Sequence, residues 1–232
     1  MGKVIQGALI FSAMLKHMQL TTGSTSMAFD RRAHWQGIYR EKSPQDVSWY
    51  QQQPKVSMEL IQRCGVNKDD AVIDVGGGAS VLVDHLCKEG YTNLTVLDIS
   101  STALESARNR MGQIAEEIEW LESDITEFSP PRQYSLWHDR AVFHFLTEKD
   151  DRRRYVDSLN QALKPGGHLI IAAFAIGGPD KCSGLDIVQY DAPKLMAELG
   201  NEFELLETVD ELHKTPANKE QHFGYFLLQK NH

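Results

Sequence analysis

The sequence of 232 residues has few cysteines and no long apolar run, and each shortage excludes a class of protein. Its three cysteines, Cys64, Cys87 and Cys182, are widely spaced and odd in number, so neither a disulfide framework nor a metal site is predicted. The apolar run from Gly7 to Leu15 is too short to cross a bilayer, which needs about 20 residues. The formal net charge of -8 provides no basic footprint for nucleic acid or an anionic membrane.

The chain divides into three parts by composition. Residues 1–26 contain no acidic residue and end in a stretch rich in serine and threonine. We expect them to be a disordered extension, with an organelle transit segment as the alternative. Residues 27–53 are polar and rich in aromatic side chains, and residues 54–232 contain the motifs described next. This length suits a single α/β domain with a substantial core.

A glycine-rich turn follows an apolar segment at residues 72–78. Gly76 and Gly78 leave the backbone bare, and the helix that follows directs its free N–H groups into the same space. Such turns occur in dinucleotide-binding proteins, in S-adenosylmethionine (SAM) enzymes and in strand-to-helix connections without a ligand. The dinucleotide fingerprint requires a third glycine where this chain has Val81, which disfavours a nicotinamide cofactor.

Acidic residues end two further apolar segments. Asp98 ends the segment 94–98, 20 residues after Gly78, where its carboxylate could accept hydrogen bonds from both hydroxyls of a ribose. The segment 118–121 leads to Asp124 and Ile125, which could contact an adenine through the amine and the ring face. Each acid alone is also consistent with a solvated strand end. Three acids at successive strand ends, with Asp74 as the first, favour a common ligand.

Together with Lys164–Gly167 before a fifth strand, these motifs resemble the class I SAM-dependent methyltransferases over about residues 54–230. The resemblance implies SAM as the cofactor and a Rossmann-like α/β fold. That fold has a seven-stranded sheet, mostly parallel with an antiparallel C-terminal strand, and helices on both faces. By the same resemblance, the cofactor-binding residues are Asp74, Gly76 and Gly78 at the methionine moiety, Asp98 at the ribose with Ile99 beside it, Asp124 and Ile125 at the adenine, and Trp49 and Tyr50 over the cofactor.

The predicted fourth strand carries residues 137–145 to the edge of the sheet where ligands bind. Methyl transfer from a sulfonium is an in-line displacement, which mainly requires alignment and exclusion of water. Asp139 or His138 could take a proton from a thiol or amine acceptor, and Arg140 could hold an anionic one, so these three are the predicted catalytic residues. The alternative is that Asp139 and Arg140 form an ion pair at a helix end.

Two branches of the family share further features with this chain. The aromatic residues in 34–39 and 48–50, with Trp137–Ala141, resemble the thiopurine and halide/thiol methyltransferases, which fold an aromatic N-terminal arm over SAM. His138 and Ala141 depart from that branch, which has Trp-Asp-Arg-Gly-Ala. The order of motifs and the segment Phe203–Glu207 also resemble elongation-factor lysine methyltransferases, although their Asp-Lys-Gly-Thr after the fourth strand is absent.

Local signals predict the remaining elements. Thr102–Glu105 is typical of a capping box that opens a helix through Ile114, and Thr147–Asp150 of the start of another helix. Two final strands, Phe203–Val209 and Phe223–Gln229, are predicted around a 13-residue loop and must pair antiparallel, because a parallel return needs a longer crossover.

The sequence therefore predicts a cytoplasmic SAM-dependent methyltransferase whose acceptor is a small molecule with a sulfur, selenium or similar nucleophile. Protein lysine N-methylation is the alternative, and a SAM-binding protein without catalysis is a lesser one. We expect no nucleic-acid or membrane partner, and the oligomeric state is left open.

Overall fold

The computed structural model describes residues 29–232, of which residues 31–232 form one compact unit. The predicted extension, residues 1–26, lies outside the described residues. The helices are α1 (Arg31–Glu41), α2 (Lys55–Cys64), α3 (Leu82–Lys88), α4 (Ser101–Met111), α5 (Lys149–Ala162) and α6 (Ala192–Leu199). The strands are β1 (Val72–Val75), β2 (Leu94–Asp98), β3 (Glu119–Glu122), β4 (Tyr134–Arg140), β5 (Leu163–Phe174), β6 (Lys181–Cys182), β7 (Leu185–Asp186), β8 (Phe203–Lys214) and β9 (Glu220–Lys230).

Seven of these strands form one sheet in the order β3-β2-β1-β4-β5-β9-β8. Strands β1 to β5 are parallel, and β9 pairs antiparallel with both β5 and β8. This confirms the predicted fold class. The chain proceeds outward from β1 through β2 to β3 and then returns to β4 on the other side of β1. Ligands of such sheets bind at this reversal, outside the carboxyl ends of β1 and β4.

Helices cover both faces of the sheet because alternate strand side chains point to opposite sides. Ile73 and Trp137 belong to the core that packs against α5 and α6. Val72 and Leu136 belong to the other core, which packs against α2, α3 and α4. All four residues of β1 are buried, as expected for a strand inside a parallel sheet. Within residues 29–232, no helix is long and apolar enough to span a membrane.

Several predicted boundaries are wrong. Helix α4 is capped by Ser100, whose Oγ accepts from the Ala103 N–H at 3.2 Å, so Thr102 lies inside the helix. Helix α5 follows Glu148, which makes no side-chain cap. The two last strands extend through the predicted loop and leave only residues 215–219 between them. Pairing with β9 supplies backbone hydrogen bonds to the polar residues of β8, and this pairing overrides their weak local preference for strand.

Candidate functional site

The turn after β1 requires its glycines. Gly76 has a φ of 72°, a conformation that side chains with a Cβ rarely adopt. A Cβ on Gly77 would lie 2.3 Å from Asp74 Oδ2, and one on Gly78 would lie 2.7 Å from Asp98 Oδ2. The turn therefore brings two predicted cofactor carboxylates against bare backbone, as the sequence motif implies.

Asp74 is buried and uses only one of its carboxylate oxygens. Its Oδ1 lies 2.7 Å from His138 Nδ1, and His138 Nε2 lies 2.9 Å from Ser57 Oγ. Asp74 Oδ2 is buried and has no hydrogen-bond partner among the described residues. A buried acceptor without a donor is costly, so this oxygen fits a donor group such as the ammonium of a methionine moiety.

Asp98 lies at the carboxyl end of β2 and points at the same turn. Its Oδ2 accepts from the Gly78 N–H at 3.1 Å, and its Oδ1 accepts from the Ser100 N–H at 2.8 Å. Burial raises the pKa of Asp98 to about 6, against the lowering effect of these N–H donors. Ile99 is half-buried beside it. The structure thus brings Asp74, Gly78 and Asp98 together, as predicted.

Asp124 and Ile125 follow β3 and face different surroundings. Asp124 Oδ1 accepts from the Thr126 N–H at 2.9 Å, and Oδ2 lies 3.5 Å from Arg31 Nη1. Ile125 is buried in the core on the α5 face. Asp124 is therefore held in a fixed orientation by its own turn and by α1.

Helix α1 lies over the carboxyl ends of β2 and β3. Arg32 donates to the carbonyl of Ile99 at 3.2 Å, and Arg31 binds the acid that follows β3. Gln36 holds the start of α4, where its Oε1 accepts from the Thr102 N–H at 3.2 Å. Nothing in the sequence predicts these contacts: Arg31 and Arg32 belong to no motif, and Gln36 lies in the segment 34–39, where only the aromatic residues suggest a role.

Aromatic rings of the arm pack together beside Asp98. Trp49 meets Trp35 edge-to-face at 5.8 Å and Tyr39 at 6.2 Å between ring centroids. Burial raises the pKa of Tyr39 well above its usual value, and the charge of Asp98 raises it further. Trp49 and the half-buried Tyr50, which are predicted to cover the cofactor, are thus part of an arm whose aromatic cluster lies beside Asp98, the predicted ribose ligand.

The three predicted catalytic residues, consecutive on β4, do not share one face. His138 and Arg140 face the α2 side of the sheet, whereas Asp139 is fully buried on the α5 side. Asp139 accepts from the Val142 N–H at 2.9 Å and from Tyr155 Oη at 2.7 Å. Burial raises the pKa of Asp139 to about 6. The alternative Asp139–Arg140 ion pair is wrong, because neighbouring side chains of a strand point in opposite directions.

Arg140 joins the arm to the C-terminal hairpin. Its Nη1 donates to the carbonyl of Trp49 at 2.9 Å, and its Nε donates to Tyr225 Oη at 2.8 Å. Tyr225 Oη in turn donates to Glu211 Oε2 at 2.9 Å, and Gln51 donates to Glu211 Oε1 at 2.7 Å. We refer to Arg140, Tyr225 and Glu211 as the latch.

Residues 29–232 contain no group of three or more His, Cys, Asp or Glu side chains that could hold a metal ion. Cys64, Cys87 and Cys182 are all free thiols.

Comparisons with known proteins bear on the site as a whole. A family model described as a methyltransferase domain matches residues 73–169, which include most of β1 and all of β2, β3 and β4. Human EEF1A lysine methyltransferase 2 is 25% identical over 204 residues, covering 80% of this chain and 79% of that protein. Nodulation protein S of Rhizobium tropici is 31% identical over 101 residues, and this match spans 44% of the chain and 42% of that protein.

Solved structures share the fold. The N-methyltransferase NodS from Bradyrhizobium japonicum WM9, in complex with S-adenosylhomocysteine (SAH), aligns with a TM-score of 0.59 and 16% identity, covering 85% of this chain and 98% of that one. A SAM-dependent methyltransferase from Anabaena variabilis ATCC 29413 aligns with a TM-score of 0.68 and 14% identity, and the alignment covers 88% of this chain and 96% of that one. At these identities the likeness is one of fold.

Proposed function

We propose that this SAM-dependent methyltransferase acts on a small molecule and methylates a sulfur, selenium or similar nucleophile. The observation that carries this proposal is the position of Arg140 at the carboxyl end of β4, where its side chain is 9% exposed. This end of the sheet is where an acceptor is expected. A fixed positive charge there stabilises the anionic form of an acidic nucleophile and disfavours an approaching ammonium group.

The carboxylates near this edge support the same acceptor class. Asp139 is turned to the opposite face, where backbone N–H groups and Tyr155 occupy its oxygens. Glu211 is shared between Tyr225 and Gln51 and lies 3.4 Å from Arg140. Both carboxylates are thus engaged, whereas a lysine acceptor benefits from one that is open to its ammonium. We therefore assign Asp139 to the turn after β4. Arg140 would contact the acceptor directly once an anionic acceptor replaces Glu211, the longest of its three contacts, at Nη2.

The remaining roles follow the geometry of the turn and the arm. Bound SAM supplies the methyl group on a positively charged sulfur. Helix α1 and the aromatic rings of the arm would exclude water from that group. The proposed cofactor residues are Asp74, Gly76 and Gly78 for the methionine moiety, Asp98 and Ile99 for the ribose, Asp124 and Ile125 for the adenine, and Trp49 and Tyr50 as cover.

Protein lysine methylation is the second candidate. It is supported by the match to human EEF1A lysine methyltransferase 2 over 80% of this chain. In that case Glu211 would have to leave Arg140 and receive the lysine ammonium.

We also propose the cytoplasm as the compartment, because three free thiols fit a reducing environment.

Labelled SAM incubated with the protein and a size-fractionated lysate separates the two candidates. We expect label in small thioethers or selenoethers, and turnover with a panel of small thiols. Label confined to protein, and released as methyl-lysine on hydrolysis, would contradict the small-molecule proposal.

Arg140→Ala tests the residue that carries the proposal. Turnover with a thiol should fall by about tenfold or more, because a charged hydrogen-bond donor to the acceptor is lost. SAH affinity should fall by much less, since the variant releases the Trp49 carbonyl of the arm but removes no direct contact with the cofactor. Arg140→Lys should restore part of the turnover by restoring the charge. Arg153→Ala, an exposed site on α5, is the matched control. A loss of SAH affinity equal to the loss of turnover would move Arg140 out of the acceptor site.

A further inference from the structure

Ser57, His138 and Asp74 form a hydrogen-bonded chain beneath the glycine turn. Their exposed fractions are 0%, 2% and 4%, and the two links measure 2.9 Å and 2.7 Å. The carboxylate partner requires a proton on His138 Nδ1, and in the neutral imidazole Nε2 then accepts from the Ser57 hydroxyl. These residue types also form hydrolase triads, but Ser57 is fully buried on the side of the imidazole away from Asp74 and the glycine turn, where the cofactor is expected.

The arrangement is built by three separate elements. Asp74 on β1 and His138 on β4 are direct partners in the parallel pairing, so their side chains lie together on the α2 face. Ser57 projects from the first turn of α2 onto the far side of the imidazole. The hydrogen bond from His138 fixes Asp74 Oδ1. The other oxygen, Oδ2, lies against Gly77 and has no partner among the described residues.

We propose that Ser57 and His138 are positioning residues, which orient the Asp74 carboxylate so that Oδ2 receives the ammonium of the methionine moiety of SAM. Without the imidazole, the carboxylate is free to rotate about its terminal bond, and its free oxygen no longer has a fixed direction. This inference rests on the use of SAM and is independent of which acceptor is methylated.

Calorimetric titration with two ligands tests this role without turnover. SAH carries the amino-acid end, whereas 5′-methylthioadenosine has the same nucleoside and thioether but lacks that end. His138→Leu should weaken SAH binding by about tenfold or more, since the hydrogen bond to the Asp74 carboxylate is lost. Ser57→Ala should weaken it by less, since only the hydroxyl that holds the imidazole is lost. Both variants should leave methylthioadenosine binding unchanged. His138→Asn, whose amide can still donate toward Asp74, should recover part of the SAH affinity.

Ser158→Ala is the matched control, because Ser158 is a buried helical serine on α5 whose Oγ donates to the carbonyl of Phe128 at 2.8 Å. It should bind both ligands normally. Equal weakening of both ligands in the Ser57 and His138 variants, or no weakening of SAH, would overturn the positioning role.

Histidine-labelled NMR of the unmodified protein gives a second readout if a variant does not fold. The resonance lost in His138→Asn should belong to a histidine protonated at Nδ1, and protonation at Nε2 alone would overturn the proposal. Wild-type protein that binds neither ligand would contradict the cofactor assignment and this proposal together. SAH binding without any thiol turnover would contradict only the proposed acceptor.

Discussion

At the scale of single residues, Asp98 is a carboxylate whose protonation is set by burial. The pKa of its carboxyl is raised to about 6, because the charged form is desolvated at the end of β2. Ribose hydroxyls are donors and favour the ionised form. Binding of the nucleoside should therefore lower this pKa and release a proton wherever the free carboxyl is still protonated.

We expect the affinity for SAH to be complete above about pH 7.5 and to be about tenfold lower at about pH 5. Affinity falls in acid because protonation removes the charge of the carboxylate that is proposed to accept from the ribose hydroxyls. Calorimetric titration with SAH between about pH 5 and about pH 7.5 measures this change in affinity. Asp98→Asn should bind about tenfold more weakly at neutral pH and lose most of the pH dependence. A pH profile that survives in the variant would assign the dependence to another group.

At the scale of elements, the arm depends on the hairpin β8–β9 for its position. Arg140 and His213 each hold a carbonyl of the arm, those of Trp49 and Ser48, at 2.9 Å and 2.8 Å. Tyr225 accepts a hydrogen bond from Arg140 and lies on β9, the strand of the hairpin that also pairs with β5. The arm is thus attached to the last strands of the chain as well as to the cofactor edge through α1.

Tyr225→Phe removes the hydroxyl that links Arg140 to Glu211. We expect amide hydrogen exchange at residues 48–52 to accelerate about tenfold, while the melting temperature changes little, because the ring still fills its place in the core. Addition of SAH should slow exchange in the arm of both proteins. The control is Tyr190→Phe, since the Tyr190 hydroxyl is buried with no partner among the described residues. Identical exchange in both variants would show that the latch does not hold the arm.

At the scale of the whole molecule, buried ionisable groups determine how stability varies with pH. His144 is fully buried among Phe145, Phe174 and Phe223, and burial, with a smaller effect of Arg140, lowers its pKa to about 3. The unfolded chain takes up this proton near pH 6.5, whereas the folded protein does not. Stability from this group is therefore present at neutral pH and is lost as pH falls below about 6.5.

We expect His144 to account for a loss of about 2 kcal/mol in the free energy of unfolding between about pH 6.5 and about pH 5. Urea denaturation of His144→Gln should show a correspondingly smaller loss on acidification. The exposed His222→Gln serves as the control. Asp139 acts in the opposite sense, since its raised pKa lowers stability as pH rises from 3.8 to about 6. If the free energy of unfolding varied with pH in the same way for wild type and His144→Gln, the folded protein would bind a proton at His144 as readily as the unfolded chain does.

The sequence alone determined the class of fold and the edge of the sheet where the proposed cofactor residues lie. Both follow from local physics: continuous apolar segments form buried parallel strands, and glycines permit the turn at residues 76–78. The carboxyl ends of parallel strands share one edge, so the acids at the ends of β1 and β2 and the acid after β3 could be assigned to a common site before their contacts were known.

Only the tertiary structure decided what the side chains of β4 do. Asp139 and Arg140 are adjacent in sequence but face different cores, and Arg140 finds its phenol partner 85 residues away on β9. His138 meets Asp74 and Ser57 across separations of 64 and 81 residues. Such contacts depend on strand register and on how α2 packs against the sheet, and neither quantity leaves a periodic trace in the sequence.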